Sequence, residues 1–486
     1  MTTVAMGLGS AVAVGDLRIL AANISLVRQG LDFSPGTTVF VSSLATLTLA
    51  ASVLGAGVLG DKYGMRRMFL AGALGALVFG LIGAAAPNLT VFMVARACIG
   101  VAFAFLTGLS LAIINAVFPP ERRAGAIAWF LAVSIALGVL PATVGGLLVE
   151  GIGWRSGLLV TPALALVVVL LTVRYVPQTP SSHRGTDLPG LLLVAVALIG
   201  ITYGVSELQS GVDLAAAAPI LAGLLAAAAF VWWELRCDEP ALDLQIFGSP
   251  RFTAVVTAGA ANNFVQGGSM TMITFYLVII RDQSTWAFAL LLIPATLLAS
   301  PAALAAGWAA RRVGSAAVVV AGLLVLAVSL LVRLSFQLDT PILVVGVVIA
   351  LSSVGGAILA TPQTTVMMAS APTHLGGVVS AVKTSVSSTF YGLGVALFSM
   401  FGILLFLRDA ETHLAGTGVG AEQAGEILGA ATTGESGLDP ARTEQVLSAA
   451  TTSMLEVADV LNVVMAAVAV LAAVAVGVLF RRPEPV

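Results

Sequence analysis

Long apolar runs, each bounded by charged residues or Pro/Gly clusters, partition the chain near 3–27, 37–59, 68–86, 90–117, 124–149, 157–175, 188–206, 214–235, 252–280, 286–310, 315–336, 341–369, 376–407 and 457–480. The runs are continuous, without the ten-residue alternation of barrel strands, so the pattern predicts helices that cross a membrane at about 20 residues per crossing. Fourteen such spans group as six, two and six, dividing the chain into 1–180, 181–240 and 241–486. The first run carries Asp16 and Arg18 at its middle and has no basic segment before it, so it reads as a retained span and not a cleaved signal peptide. One polar stretch, at about 408–456, separates the last two spans. Within it Asp439-Pro440 places a capping residue ahead of a proline at the first helical position, which predicts a helix feeding the final span.

Composition narrows the class. Of 486 residues, 59% are hydrophobic and 9% charged, whereas a soluble domain carries about 25% charged residues. A water-facing surface cannot be built from that inventory, which excludes a soluble enzyme and a nucleic-acid binder and makes the lipid bilayer the solvent. Thirteen of the 22 basic residues, Lys62, Arg66, Arg67, Arg122, Arg123, Arg311 and Arg312 among them, fall on one side of the fourteen-span topology. That bias marks the cytoplasmic side and puts both termini there. Residues 408–459 lie opposite and carry nine acidic residues against two basic ones, a solvated acidic loop. Cys98 and Cys237 do not suggest a disulfide framework, and His183, His374 and His413 have no ligand spacing, so no metal or other cofactor is expected. With no phosphate-cradling G-x-x-x-x-G-K-(S/T) sequence, ATP is not an expected partner and transport would run on a gradient.

The loop after the second span reads Gly57-Val58-Leu59-Gly60-Asp61-Lys62-Tyr63-Gly64-Met65-Arg66-Arg67. Its G-x-x-x-D-(R/K)-x-G-x-(R/K)-(R/K) pattern resembles the signature loop of the major facilitator superfamily. Glycines there allow close helix approach and a tight turn, and Asp61 can sit at a helix N-terminus and pair with an arginine, a latch that favours one access state. Gly307 to Gly314 repeats both glycines with arginine in place of the acid, as two related six-helix halves would. Further segments are similar to the superfamily's fourteen-span drug:proton antiporter branch. Arg96-Ala97-Cys98-Ile99-Gly100 is like its fourth-span motif with isoleucine for glutamine. Pro141-Ala142-Thr143-Val144-Gly145-Gly146 is like its fifth-span antiporter motif, although the Gly-Pro dipeptide is missing. Gly153-Trp154-Arg155 and Glu239 to Phe247 are typical of the branch, and residues 361–396 are similar to quinolone and multidrug exporters of Gram-positive bacteria. The resemblance implies an all-α integral membrane protein of the major facilitator fold, two six-helix bundles plus two inserted transmembrane helices.

Charges at depth are the candidate machinery, because each costs several kcal/mol by insertion scales and needs a partner or a task. Asp16 lies near mid-membrane, where a carboxylate can exchange a proton for a cationic substrate, and it matches the acid of the branch's first-span motif. Arg96 resembles the fourth-span arginine that the family implies couples protonation to conformational change; a structural hydrogen bond is its plain alternative. Lys383, about 10 Å in from the basic side by helical rise, is a third proton-coupling candidate: facing water it disfavours monocationic substrates and favours anionic or zwitterionic ones, or it neutralises Asp16 in one access state, with snorkelling to the interface as the plain alternative. Glu150, Glu207, Arg333 and Asp459 fall near outer span ends, where they can snorkel. Arg18, Asn263, Gln266, Phe275, Tyr276 and Tyr391 are candidate substrate-cavity residues, amides and aromatics suited to loose recognition of amphiphiles. Asn262 and Asn263 cannot both face that cavity, and helix-to-helix hydrogen bonds are an equal reading. The expectation is a monomeric, proton-coupled exporter of small amphipathic drugs or metabolites in a bacterial cytoplasmic membrane. A lipid or metabolite transporter without proton coupling is the second reading, and a non-transporting scaffold or receptor the third.

Overall fold

The computed structural model describes residues 1–33, 37–138, 140–179, 187–207, 214–237, 240, 242, 244–281, 285–370, 376–413 and 440–481. Arg184, Glu239, Asp243, His183, His374, Asp439, Arg482 and the 414–439 part of the polar loop lie outside them. Sixteen α-helices and no strand occur among the described residues. They are α1 (Thr2–Leu31), α2 (Thr38–Tyr63), α3 (Met65–Ala84), α4 (Leu89–Val117), α5 (Pro120–Gly138), α6 (Leu140–Gly151), α7 (Trp154–Leu158), α8 (Val160–Tyr175), α9 (Leu188–Glu207) and α10 (Leu214–Glu234). Then follow α11 (Pro250–Thr274), α12 (Thr285–Val313), α13 (Ser315–Val332), α14 (Ile342–Ala369), α15 (Gly376–His413) and α16 (Pro440–Leu479).

Caps explain several of these boundaries. Asn88 opens α4 by accepting a hydrogen bond from the Val91 N–H at 3.0 Å. Ser249 opens α11 in the same way, with Pro250 at the first helical position. The last helix starts at Pro440, where the Asp-Pro pattern predicts. Gly64, between α2 and α3, and Gly314, between α12 and α13, take nearly the same left-handed φ of 96° and 91°. A residue with a Cβ would be strained at both turns, so the degenerate loop repeat is a conformational repeat as well.

Thirteen helical stretches among the described residues are long and apolar enough to cross a membrane. The expected span over 252–280 is the exception. Its α11 has 25 residues, about 37 Å of helix, but Asn262, Asn263, Gln266, Gly267, Gly268 and Ser269 make its centre too polar to count by composition. That polarity faces protein, since α11 is enclosed by α14, α15 and α16. The sixth expected span is broken at Leu159 into α7 and α8, while the fifth is covered by α5 and α6 within one stretch, Pro120–Val149.

The packing repeats. In the first half α2 and α3 run against α4, α3 against α8, and α1 against α5; in the second α12 and α13 run against α14, α13 against α16, and α11 against α15. Exchanging α2 with α12, α4 with α14 and α5 with α15 also exchanges the contacts that join the halves, α2 with α15 for α5 with α12 and α4 with α15 for α5 with α14. The pseudo-twofold of the sequence is therefore present in the helix neighbours. The α9–α10 pair packs mainly on itself, with α9 touching α2 and α15.

Candidate functional site

Asp16 projects from the middle of α1 and is 1% exposed. Arg96 of α4, itself buried, places Nη1 2.6 Å from its Oδ2, and Thr161 at the start of α8 donates its hydroxyl to Oδ1 at 2.6 Å. Three helices thus converge on one carboxylate. A charge-assisted pair of this kind in a low-dielectric setting is held far more strongly than at a surface. Nε and Nη2 of Arg96 are buried without a hydrogen-bond acceptor among the described residues, where the guanidinium's one ion pair is with Asp16. The antiporter-motif residues shape the wall behind it. Pro141 seats on Gly15, leaving no room for a Cβ there, and Gly145 admits Ile19 one turn further along α1. Gly146 faces open space.

The signature loop closes the basic end. Asp61 is buried, and its two oxygens accept the backbone N–H groups of Gly377 (3.0 Å) and Val378 (3.2 Å), the first turn of α15. Free N–H groups and the helix dipole make that terminus a site for negative charge. Gly57 permits the approach, since a Cβ there would stand 2.6 Å from the Gly377 carbonyl oxygen. Arg66 fastens the loop to its own half, donating its backbone N–H to Thr179 and Nη2 to the Val173 carbonyl at 3.0 Å. Arg67 is exposed. The matching crossing places Gly307 of α12 against Ala128 of α5, an apolar contact.

α1 packs on α4, α5, α6 and α8, all in its own half, and its exposed stripe Val14, Arg18, Ala21 and Ser25 faces away from them. On α15 of the other half Phe390 and Tyr391 are exposed, and Arg18 lies within electrostatic reach of Tyr391, so these residues meet between the halves. Lys383, half-buried on α15, makes no hydrogen bond or ion pair among the described residues.

The remaining cavity candidates are engaged between helices. Asn263 donates to Ser387 of α15 at 3.3 Å, and Gln266 to the Ser352 carbonyl of α14 at 3.2 Å. Asn262 turns toward Gly356 of α14, beside Gln266. Tyr276 is 4% exposed; it stacks near Phe336 and donates its hydroxyl to the Gln337 carbonyl. Phe275 packs in the cluster of Met272, Phe398 and Leu461. A π-helical turn over Phe275–Ile280 shifts the register just there, and the two rings pack at the end of α11, Tyr276 buried and Phe275 half-buried.

Arg333 corrects an expectation. It does not snorkel: it is 4% exposed, with Nη2 2.9 Å from Ser352 Oγ and Nη1 3.4 Å from the Ser269 carbonyl. The short helical turn after α13 points it inward. Thr161 was not singled out by the sequence; the Thr-Pro step beside the break between α7 and α8 was its only signal.

Residues 6–399 match the Major Facilitator Superfamily. The chain is 29% identical over 477 residues to the multidrug efflux pump LfrA of Mycolicibacterium smegmatis, covering 96% of this chain and 93% of that one. It is 30% identical over 302 residues to the drug efflux pump JefA of Mycobacterium tuberculosis; that match spans 60% of this chain and 59% of JefA's length. Among solved structures, the proton:xylose symporter XylE superposes with a TM-score of 0.61 at 14% identity, over 99% of this chain and 95% of that one, a likeness of fold.

Proposed function

The chain belongs to the major facilitator superfamily, and from that premise we propose that it is a secondary active exporter of amphipathic drugs or metabolites, working by proton antiport and alternating access. The carrying observation is the Asp16–Arg96 pair, a titratable carboxylate at mid-membrane held by one cation and one hydroxyl from two other helices. Protonation of Asp16 releases Arg96, whose other donors have no acceptor, and a freed buried guanidinium must find a new position. That links a proton to a rearrangement of α1, α4 and α8. The Asp61 bond to α15 supports the second element, a closure across the halves that one access state makes and the other breaks. The drug efflux named for LfrA and JefA supports the direction and class of cargo.

On this reading residues 1–180 and 241–486 form the two rocking bundles, with 181–240 an inserted pair. The basic end and both termini are cytoplasmic, the membrane is the bacterial inner membrane, and one chain suffices. The test is substrate efflux from proteoliposomes under an imposed pH gradient, comparing wild type with Asp16→Asn. Gradient-driven flux present in the first and absent in the second is expected. Equal flux in both removes Asp16 as the coupling residue, and flux indifferent to the gradient favours a transporter whose buried charges recognise cargo.

A further inference from the structure

Among the described residues, Arg18 of α1 and Lys383 of α15 are cations that form no ion pair, one on each side of the contact between Arg18 and Tyr391. Asp16, the carboxylate at mid-span of α1, is turned into its own half and neutralised by Arg96 at 2.6 Å. Arg18, two residues on, is exposed on the opposite face of the helix. Lys383 on α15 has neither a carboxylate nor a hydrogen-bond acceptor among the described residues. Two cations without counter-ions in a half-enclosed space make the insertion of a third cation unfavourable and that of an anion favourable, and a low local dielectric magnifies both effects.

The depths can be compared. Thr2, at the start of α1, bonds the Tyr175 carbonyl at the end of α8, next to the strap made by Arg66 on Val173, so α1 begins at the basic end. Arg18 then stands about 24 Å along its helix and Lys383 about 10 Å along α15, at 1.5 Å per residue. Lys383 is therefore about 9 Å beyond the Asp61 closure by the same rise, and Arg18 lies above it, level with Tyr391 and within its electrostatic reach.

Resting on the exporter reading above, we propose that the cargo carries an anionic group, as a monoanionic or zwitterionic amphiphile, and that Lys383 and Arg18 hold this group at two successive depths of the same path. When the basic end is open, Lys383 is the first cation the group meets; when it is shut, Arg18 is the one beside the exit. Phe390 and Tyr391 supply the apolar contact for the rest of the molecule.

Binding decides this independently of transport. The full chain in phosphatidylcholine nanodiscs is titrated with fluorescein, an organic anion, and with ethidium, a monocation, following anisotropy against empty discs. The expected result is tighter binding of fluorescein, weakened at least tenfold by Arg18→Gln and by Lys383→Gln, largely restored by Arg18→Lys and Lys383→Arg, with ethidium bound more tightly by both glutamine variants. Fluorescein bound no better than ethidium by wild type, or a preference that stays within twofold in folded glutamine variants, overturns the proposal. Unfolded glutamine variants leave the wild-type preference and the conservative pair to decide. Loss of gradient-driven efflux with the anion preference intact would count against the exporter reading and not against the charge of the cargo.

Discussion

Asp61→Asn tests the closure at the basic end with a nearly isosteric change. The carboxylate accepts two N–H groups, from Gly377 at 3.0 Å and Val378 at 3.2 Å. An asparagine keeps one acceptor oxygen and turns its NH2 toward the other donor, so one bond is lost and a donor is left facing a donor. A hydrogen bond to a charged group is worth about 1.5–3 kcal/mol, and a charge at a helix N-terminus adds about 0.3–1 kcal/mol. The closed state should lose about 2–3 kcal/mol, a shift of roughly 30- to 150-fold in the ratio of closed to open. A protein closed in 99 molecules of 100 would then sit near equal populations. Distance distributions between spin labels at the basic ends of α2 and α15 read that ratio directly. A distribution unchanged in the variant refutes the idea that this carboxylate holds the halves together. Gly57→Ala approaches the same crossing by another route, wedging a methyl group 2.6 Å from the Gly377 carbonyl oxygen, and should broaden the same distribution toward longer distances.

Other outcomes follow from single contacts. Asp16→Asn leaves Arg96 buried without its anion, which should lower stability by about 3–5 kcal/mol; adding Arg96→Gln should raise the thermal midpoint again without restoring gradient-driven flux, and a double variant no more stable than the single one would count against the pair. Thr161→Val removes the hydroxyl that donates to Asp16 at 2.6 Å, worth about 1.5–3 kcal/mol, and should move the pH midpoint of flux while leaving expression intact; an unmoved midpoint separates Thr161 from coupling. Arg333→Met removes a buried cation that has serine and carbonyl partners but no acidic one, and replacing desolvated charge by apolar volume is neutral or stabilising. Its thermal midpoint should hold or rise with flux retained, and a lost flux would assign Arg333 a working role.

The spans were legible because lipid imposes one simple demand, about 20 apolar residues per crossing, and each expected run except α11 meets it in the structure. Asp61 was legible from its loop, but its partners were not, since backbone N–H groups more than 300 positions away leave no trace in side-chain chemistry. Asp16 and Arg96 were each conspicuous as charges at depth, while their pairing needed α1 and α4 to be brought together. Thr161 was hidden because a threonine in an apolar run is ordinary until a carboxylate sits against it. Arg333 misled for the opposite reason: its distance from the span end was right, but the Ser269 carbonyl and the Ser352 hydroxyl that receive it come from α11 and α14 and meet only in the fold. Tyr276 was legible as an aromatic of the polar helix, but the π-helical turn it opens and the Gln337 carbonyl that takes its hydroxyl have no signature in the sequence.

Two of the crossings between the halves, α2 with α15 and α5 with α12, occupy equivalent places, yet they are chemically unlike. At α2 and α15 a carboxylate grips a helix end; at α5 and α12 Gly307 merely rests on Ala128. A grip of that kind is directional and gives way within about an ångström, whereas a smooth apolar contact tolerates sliding and rotation. On the alternating-access reading proposed above, one side of the molecule would act as a clasp and the other as the spine of a book, so that release of Asp61 would swing the halves about α5 and α12 and open a chain with paired helix neighbours along one edge.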